Sequence, residues 1–154
     1  MTQGGSRAID EDMPMTDKQA LFWRIVDGRL PAPPCARTLG LAFGDIDPER
    51  GTIEVAFEAR AEFLNPAGTV QGGFLAAMLD DTMGPALAAT LQAGEFAPTV
   101  TLNVQFHRPA KPGPLRGFGR VTMRGREICH LGAELLQDGK VVASATATAV
   151  IRPM

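Results

Sequence analysis

A chain of 154 residues and 16.3 kDa, 45% hydrophobic, is sized for one domain with a proper core. Its formal charge of −2 argues against a general nucleic-acid binder. Its two cysteines, Cys35 and Cys129, are too few for a disulfide framework and match no zinc-ligand spacing. The charge is uneven, however: residues 1–100 carry 7 Lys/Arg against 14 Asp/Glu, and residues 101–154 carry 8 against 3. The basic second half can meet a polyanionic ligand, or its charges can simply decorate exposed strand faces.

Residues 1–15 are polar and without periodicity, and read as a mobile leader before a single domain over 16–154. No basic-then-apolar signal pattern opens the chain, so a cytoplasmic, reduced protein is the expectation. Thr16 is placed to cap a short helix carrying Ala20, Leu21, Phe22, Trp23, Ile25 and Val26, which Pro31, Pro33 and Pro34 stop. Residues 39–46 read as a strand, 47–51 as a turn and 52–60 as a cleanly alternating strand. In the last of these, Ile53, Val55, Phe57 and Ala59 share one face.

Residues 65–73, Asn-Pro-Ala-Gly-Thr-Val-Gln-Gly-Gly, then lead into an almost wholly apolar helix running to Leu91. Gly72 and Gly73 fall at its start, where N–H groups lack intrahelical partners and the helix dipole favours negative charge. That geometry suits the polarisation of a carbonyl oxygen. Asp80 and Asp81 are the only charged residues between Gly73 and Gly94. A helix apolar all round is normally buried, and a carboxylate there needs a partner or a task. The same two aspartates, with Pro85, argue against a membrane span. Gly84-Pro85 predicts a kink, because Pro85 cannot donate to the Asp81 carbonyl.

Four further strands are expected at 99–107, 115–124, 128–137 and 141–151. Val100, Leu102, Val104 and Phe106 line one face of the first. Lys111-Pro112-Gly113-Pro114, Arg124-Gly125-Arg126 and Asp138-Gly139 form the turns. Asp-Gly is a strong hairpin signal, and the short connections imply that consecutive strands pair antiparallel. Strands, one long apolar helix and a strand meander make an α+β domain whose curved antiparallel sheet wraps the helix.

The pattern Asn65, Gly68, Gln71-Gly72-Gly73 and Asp80, with the flanking Leu39-Gly40-Leu41, the strand 99–106 and Arg108-Pro109-Ala110, resembles the hotdog-fold acyl-CoA thioesterases of the PaaI type. Those proteins usually carry His before Gly-Gly, where this chain has Gln71. The resemblance covers roughly residues 38–151. It implies hydrolysis of an acyl- or aryl-CoA to free acid and CoA, with no metal and no cofactor beyond the CoA of the substrate. It assigns carbonyl polarisation to the Gly72 N–H, with Asn65 arranging the same site, and the role of nucleophile or general base to Asp80. Thr99 then orients Asp80 or the water, or is simply a strand residue, and Asp81 matches no catalytic position of the family. The resemblance further implies a homodimer or homotetramer with composite sites, Asn65 and Gly72 facing Asp80 of the other protomer.

Gly73, Phe74, Met78, Met83, Phe63 and Leu64 are candidates for the substrate pocket, although Met and Phe are as readily plain core. Arg108, Lys111, Arg124 and Arg126 are candidates for the CoA phosphates. His107 and His130 lie too far along the chain to replace the missing His. The alternative reading is a hotdog protein that binds acyl-CoA without turnover or senses it as a ligand. A hotdog dehydratase fits less well, since no His stands where one is needed to share proton transfer.

Overall fold

The computed structural model describes residues 13–154. Two short helices, α1 (Leu21–Val26) and α2 (Pro34–Leu39), precede the strands β1 (Ala42–Asp47) and β2 (Thr52–Ala59). A single 3₁₀ turn (Ala61–Phe63) leads to the long helix α3 (Gly72–Ala88). The strands β3 (Glu95–Phe96), β4 (Thr99–Phe106), β5 (Gly113–Arg124), β6 (Ile128–Gln137), β7 (Lys140–Val150) and β8 (Arg152–Pro153) complete the chain. Six strands form one antiparallel sheet in the order β1-β2-β5-β6-β7-β4, while β3 and β8 pair separately. No helix among the described residues is long and apolar enough to cross a membrane.

The sheet curls around α3, as the order of elements predicts, and a gap in side-chain volume lets it do so. Gly117 and Gly119 of β5 face the helix. A Cβ on Gly117 would fall 2.6 Å from Thr82 Oγ1, and one on Gly119 would fall 2.8 Å from the Thr82 carbonyl oxygen. Thr82 is itself buried and its hydroxyl donates back to the Met78 carbonyl at 2.7 Å. Around this contact Phe57, Leu79, Leu87, Leu115, Leu131 and Leu135 are fully buried. The β6–β7 hairpin turns at Asp138 (φ 52°) and Gly139 (φ 74°), two left-handed residues that form the tight turn Asp-Gly predicts.

Four expectations are corrected. Pro34 does not merely stop the first helix: it occupies the first position of α2, which closes on Gly40 at φ 66°. Pro fits that position because its missing N–H would be unpaired there in any case. The strand expected over 39–46 therefore starts only at Ala42, since Leu39 belongs to α2. Thr16 caps nothing. α1 begins after Ala20, and Asp17 instead accepts the Gln19 and Ala93 N–H groups. The leader expected over 1–15 lies outside the described residues as far as 12, but its last part is docked. Met13 packs on the core and the Met15 carbonyl accepts from Gln92 Nε2 at 3.0 Å.

The fourth concerns β4. The connection to β5 is not a hairpin, because β4 pairs with β7 at the far end of the sheet. The six residues between them cross three strand spacings, roughly 15 Å, within reach of an extended segment. β4 is thus an edge strand with one side unpaired. Of the apolar residues expected to share one face, only Val104 packs on the core, while Val100 (55% exposed), Leu102 (38%) and Phe106 (56%) are left uncovered. An edge strand bearing such a face is a ready surface for another chain.

Candidate active site

The polar loop before α3 is rigid for local reasons. Asn65 Oδ1 accepts the N–H groups of Ala67 (3.0 Å) and Thr69 (3.1 Å), and Asn65 Nδ2 donates to Thr69 Oγ1 at 3.0 Å. Gly68 turns the chain at φ 78°. The Val70 N–H is tied to the Ala110 carbonyl and the Gln71 N–H to the Phe63 carbonyl, each at 2.8 Å. The polar side-chain atoms of Asn65 are therefore committed to holding the loop.

Gln71 is the N-cap of α3. Its Oε1 accepts the Gly73 N–H at 2.8 Å, which satisfies one of the orphan donors of the first turn. The Gly72 N–H has no acceptor among the described residues. Gly72 also lies under the Phe106 ring, so close that an added Cβ would stand 3.0 Å from its Cζ. The start of α3 thus presents one free N–H beside the exposed face of β4.

Asp80 and Asp81 sit eight and nine residues further on. Asp80 Oδ1 accepts the Thr99 hydroxyl at 2.8 Å, so Thr99 at the start of β4 orients that carboxylate. Asp81 Oδ2 is buried with no hydrogen-bond partner among the described residues. Burial, and secondarily the charge of Asp80, push its pKa up from 3.8 to about 6. Both carboxylates open on a cavity of about 460 Å³ between α3 and the α1–α2 segment.

A stability prediction follows from Asp81. The folded protein holds this proton up to about pH 6, whereas the unfolded chain releases it near 3.8. The contribution is therefore intact below about 3.8 and is lost as pH rises through 6. The full shift would correspond to about 3 kcal/mol, and residual solvent contact reduces it to roughly 1–2 kcal/mol. Asp81→Asn keeps the shape without the charge, and is expected to gain that much over the wild type at pH 7.5 but little at pH 4. Urea unfolding of both proteins at the two values checks this. An equal difference at both would remove Asp81 as the titrating group.

The other candidate residues lie in different parts of the fold. Met78 and Met83 are wholly inside the core and do not line the cavity, which lies along the side of α3 that carries Asp80, Asp81, Gly84, Pro85 and Ala88. Phe74 stacks on the buried Phe63 at 4.2 Å, so both serve packing. Leu64 packs against the same core, while Gly73 is committed to the Gln71 cap. The four basic residues do not form one site in one protomer. Arg108 donates to the Val141 carbonyl and the Lys111 N–H to Gln137, at the β6–β7 turn. Arg124 is at the opposite end of those strands, with its Nε on Thr90 Oγ1 and its Nη1 on the Gly125 carbonyl. A strand of ten residues separates the two ends by about 30 Å. Arg124 is a tether between β5 and the end of α3, and Arg126 beside it is exposed. His107 bonds Ser144 and His130 bonds Thr148, both on the exposed side of the sheet, away from Asp80.

Known proteins bear on this arrangement. Residues 67–144 match the model of the thioesterase superfamily, and with half of its length matched the chain belongs to that superfamily. Its structural relatives are of the PaaI type, and its fold is the hotdog. A Ralstonia eutropha JMP134 structure, described as an inferred thioesterase related to phenylacetic acid degradation, is 47% identical. That match covers 84% of this chain and 98% of the other at a TM-score of 0.83. The Escherichia coli PaaI protein of the phenylacetic acid degradation operon shares the fold at 23% identity and a TM-score of 0.74, over 84% of this chain and 91% of its own. A Thermoplasma volcanium protein named for an inferred esterase activity is 30% identical over 100 residues, 65% of this chain and 74% of that protein.

The sequence missed the wall that α1 and α2 contribute to the cavity. A signal was present in the Pro34-to-Gly40 spacing, Pro just inside the start of a helix and Gly just past its end.

Proposed function

We propose that the chain is an acyl-CoA thioesterase that hydrolyses an acyl- or aryl-CoA without metal or redox cofactor. Asp80 is its nucleophile or general base and the Gly72 N–H polarises the thioester carbonyl. The observation that carries this reading is the Asp80 carboxylate, oriented by Thr99 and opening on an apolar cavity. Thiolate is a good leaving group, so polarising the carbonyl and supplying a carboxylate are the two tasks the protein must perform.

The site is composite in this reading. Along one helix, Gly72 and Asp80 are separated by about 12 Å of rise, too far for both to touch one carbonyl. The free edge and exposed apolar face of β4, which also pass beside Gly72, suit a two-fold partner that brings its Gly72 to this Asp80. Arg108 and Lys111 lie at the Gly72 end of the sheet and Arg126 at the Asp80 end, so the CoA phosphates would meet basic residues of both protomers. Gln71 supports the reading as a cap: it holds the Gly73 N–H and leaves that of Gly72 for substrate.

Steady-state thiol release from short, medium, long and aryl acyl-CoAs by the purified protein tests the proposal. Turnover of at least one class well above the uncatalysed rate is expected. Tight thioester binding with no turnover would instead favour the non-catalytic binding protein.

A further inference from the structure

The cavity beside Asp80 has a polar end and an apolar end, built by different parts of the chain. Asp80, Asp81, Thr99 and Glu95 supply its polar and charged side chains, and no lysine or arginine among the described residues lines it. The opposite wall comes from the N-terminal helices and β1: Phe22, Ile25 and Val26 of α1, Ala36 of α2, Leu41 before β1 and Phe43 within it. Phe22 and Phe43 meet edge to face at 5.4 Å, a fixed aromatic floor. Ala36 is buried and small, and α2 is held by Pro34 at its start and Gly40 at its end. This wall precedes residue 67, where the superfamily match begins. It is therefore a part of the molecule in which specificity can differ while the reacting end stays the same.

We propose that the α1–α2 wall selects the acyl group, admitting an uncharged apolar acyl chain of medium length and rejecting acyl groups that end in a second carboxylate. This inference rests on the reading of Asp80 as the reacting end. A terminal carboxylate carried away from the Asp80 end would lose its hydration against Phe22, Ile25 and Leu41, and no cation among the described residues lines the cavity to pair it. Asp81 already bears the cost of such an environment, with one oxygen unpartnered. A methylene fills about the room of a water's share of the liquid, ~30 Å³, so about 460 Å³ holds on the order of ten acyl carbons once imperfect filling is allowed for. Ala36 and Ile25 then gauge length, because a larger or smaller side chain at either position changes the depth of the apolar end.

The test uses the full-length protein with acetyl-, butyryl-, hexanoyl-, octanoyl-, decanoyl- and palmitoyl-CoA, together with glutaryl-CoA. The same series of S-alkyl-CoA thioethers, which bind but cannot be hydrolysed, is measured by calorimetry. In the wild type, kcat/KM is expected to peak between hexanoyl and decanoyl, with glutaryl-CoA at least tenfold below hexanoyl-CoA. Ala36→Phe is expected to lower the decanoyl-to-butyryl ratio of kcat/KM at least tenfold, mainly through KM. Ile25→Ala, a cavity-enlarging change that keeps α1 helical, should move the optimum towards longer chains. The thioether affinities should shift in the same order. Unmoved ratios and affinities in both folded variants, or glutaryl-CoA used as well as hexanoyl-CoA, would overturn the inference while leaving the hydrolase reading intact. Length-dependent thioether binding that both variants shift, with no hydrolysis of any ester, would uphold the wall and overturn the hydrolase reading.

Discussion

Asp80→Asn is expected to lower kcat by 10²-fold or more on any thioester the protein hydrolyses, with KM changed little. The amide keeps the shape of the carboxylate and can still accept the Thr99 hydroxyl, now held at 2.8 Å, so the local geometry survives. What is lost is the negative charge that either attacks the carbonyl or takes a proton from water. That is the scale of loss expected when a general base is removed. A change confined to the reacting step appears in kcat and kcat/KM alike, whereas a lost binding contact appears in KM. Two neighbours calibrate the result. Thr99→Ala removes the orienting hydroxyl but not the charge, and a smaller loss is expected. Asp81→Asn removes a charge about 100° around the helix from Asp80, and is expected to cost much less turnover while raising stability at neutral pH. Equal kcat losses at Asp80 and Asp81, in variants with wild-type circular dichroism, would contradict the assignment of roles.

The parts of this molecule that were legible in its sequence are those determined by local chemistry. The hairpin at Asp138-Gly139 needs two left-handed residues and has them, so β6 and its turn could be read directly. The alternation of Ile53, Val55, Phe57 and Ala59 is a property of one strand with one buried face, and all four are buried. The start of α3 was readable because a polar, glycine-rich loop gives way there to a long apolar run, and Asp80 because a charge in an apolar helix demands a reason. What was not legible depends on contacts distant in sequence. Nothing in residues 107–112 distinguishes a hairpin from a crossing of the sheet end, and the β4–β7 pairing that decides it is non-local. The exposure of Val100, Leu102 and Phe106 is invisible to a periodicity that reports which residues share a face but not what covers it. Met78 and Met83 are separated from the cavity only by helical phase relative to a sheet whose closeness Gly117 and Gly119 set. Arg108 and Arg126 were grouped as phosphate candidates by residue type alone, yet β5, the strand between them, carries them to opposite ends of the sheet.

That separation of ends gives the sharpest test of a composite site, because the Gly72 N–H can be deleted with little damage. Gly72→Pro removes the one donor the proposal uses. Proline is favoured at the first position of a helix. It also requires an extended residue before it, and Gln71 is already extended at φ −62°, ψ 135°. The new ring must displace the exposed Phe106 side chain by a few tenths of an ångström, and the Gln71 cap on the Gly73 N–H can persist. Loss of an oxyanion donor typically costs 10²–10³-fold in kcat, so Gly72→Pro homodimers are expected to be nearly inactive, as are Asp80→Asn homodimers. If each site draws Gly72 from one protomer and Asp80 from the other, a mixed dimer holds one doubly altered site and one intact site. Equal amounts of the two variants, unfolded together and refolded, should then recover roughly a quarter of wild-type activity, since half the dimers are mixed and half their sites are whole. If Gly72 and Asp80 served one site from the same chain, every site would keep a defect and the mixture would stay at the level of its components. Activity of the refolded mixture, against each variant refolded alone and with dimer content measured by light scattering, separates the two arrangements. A fully active wild-type monomer would exclude the composite site outright.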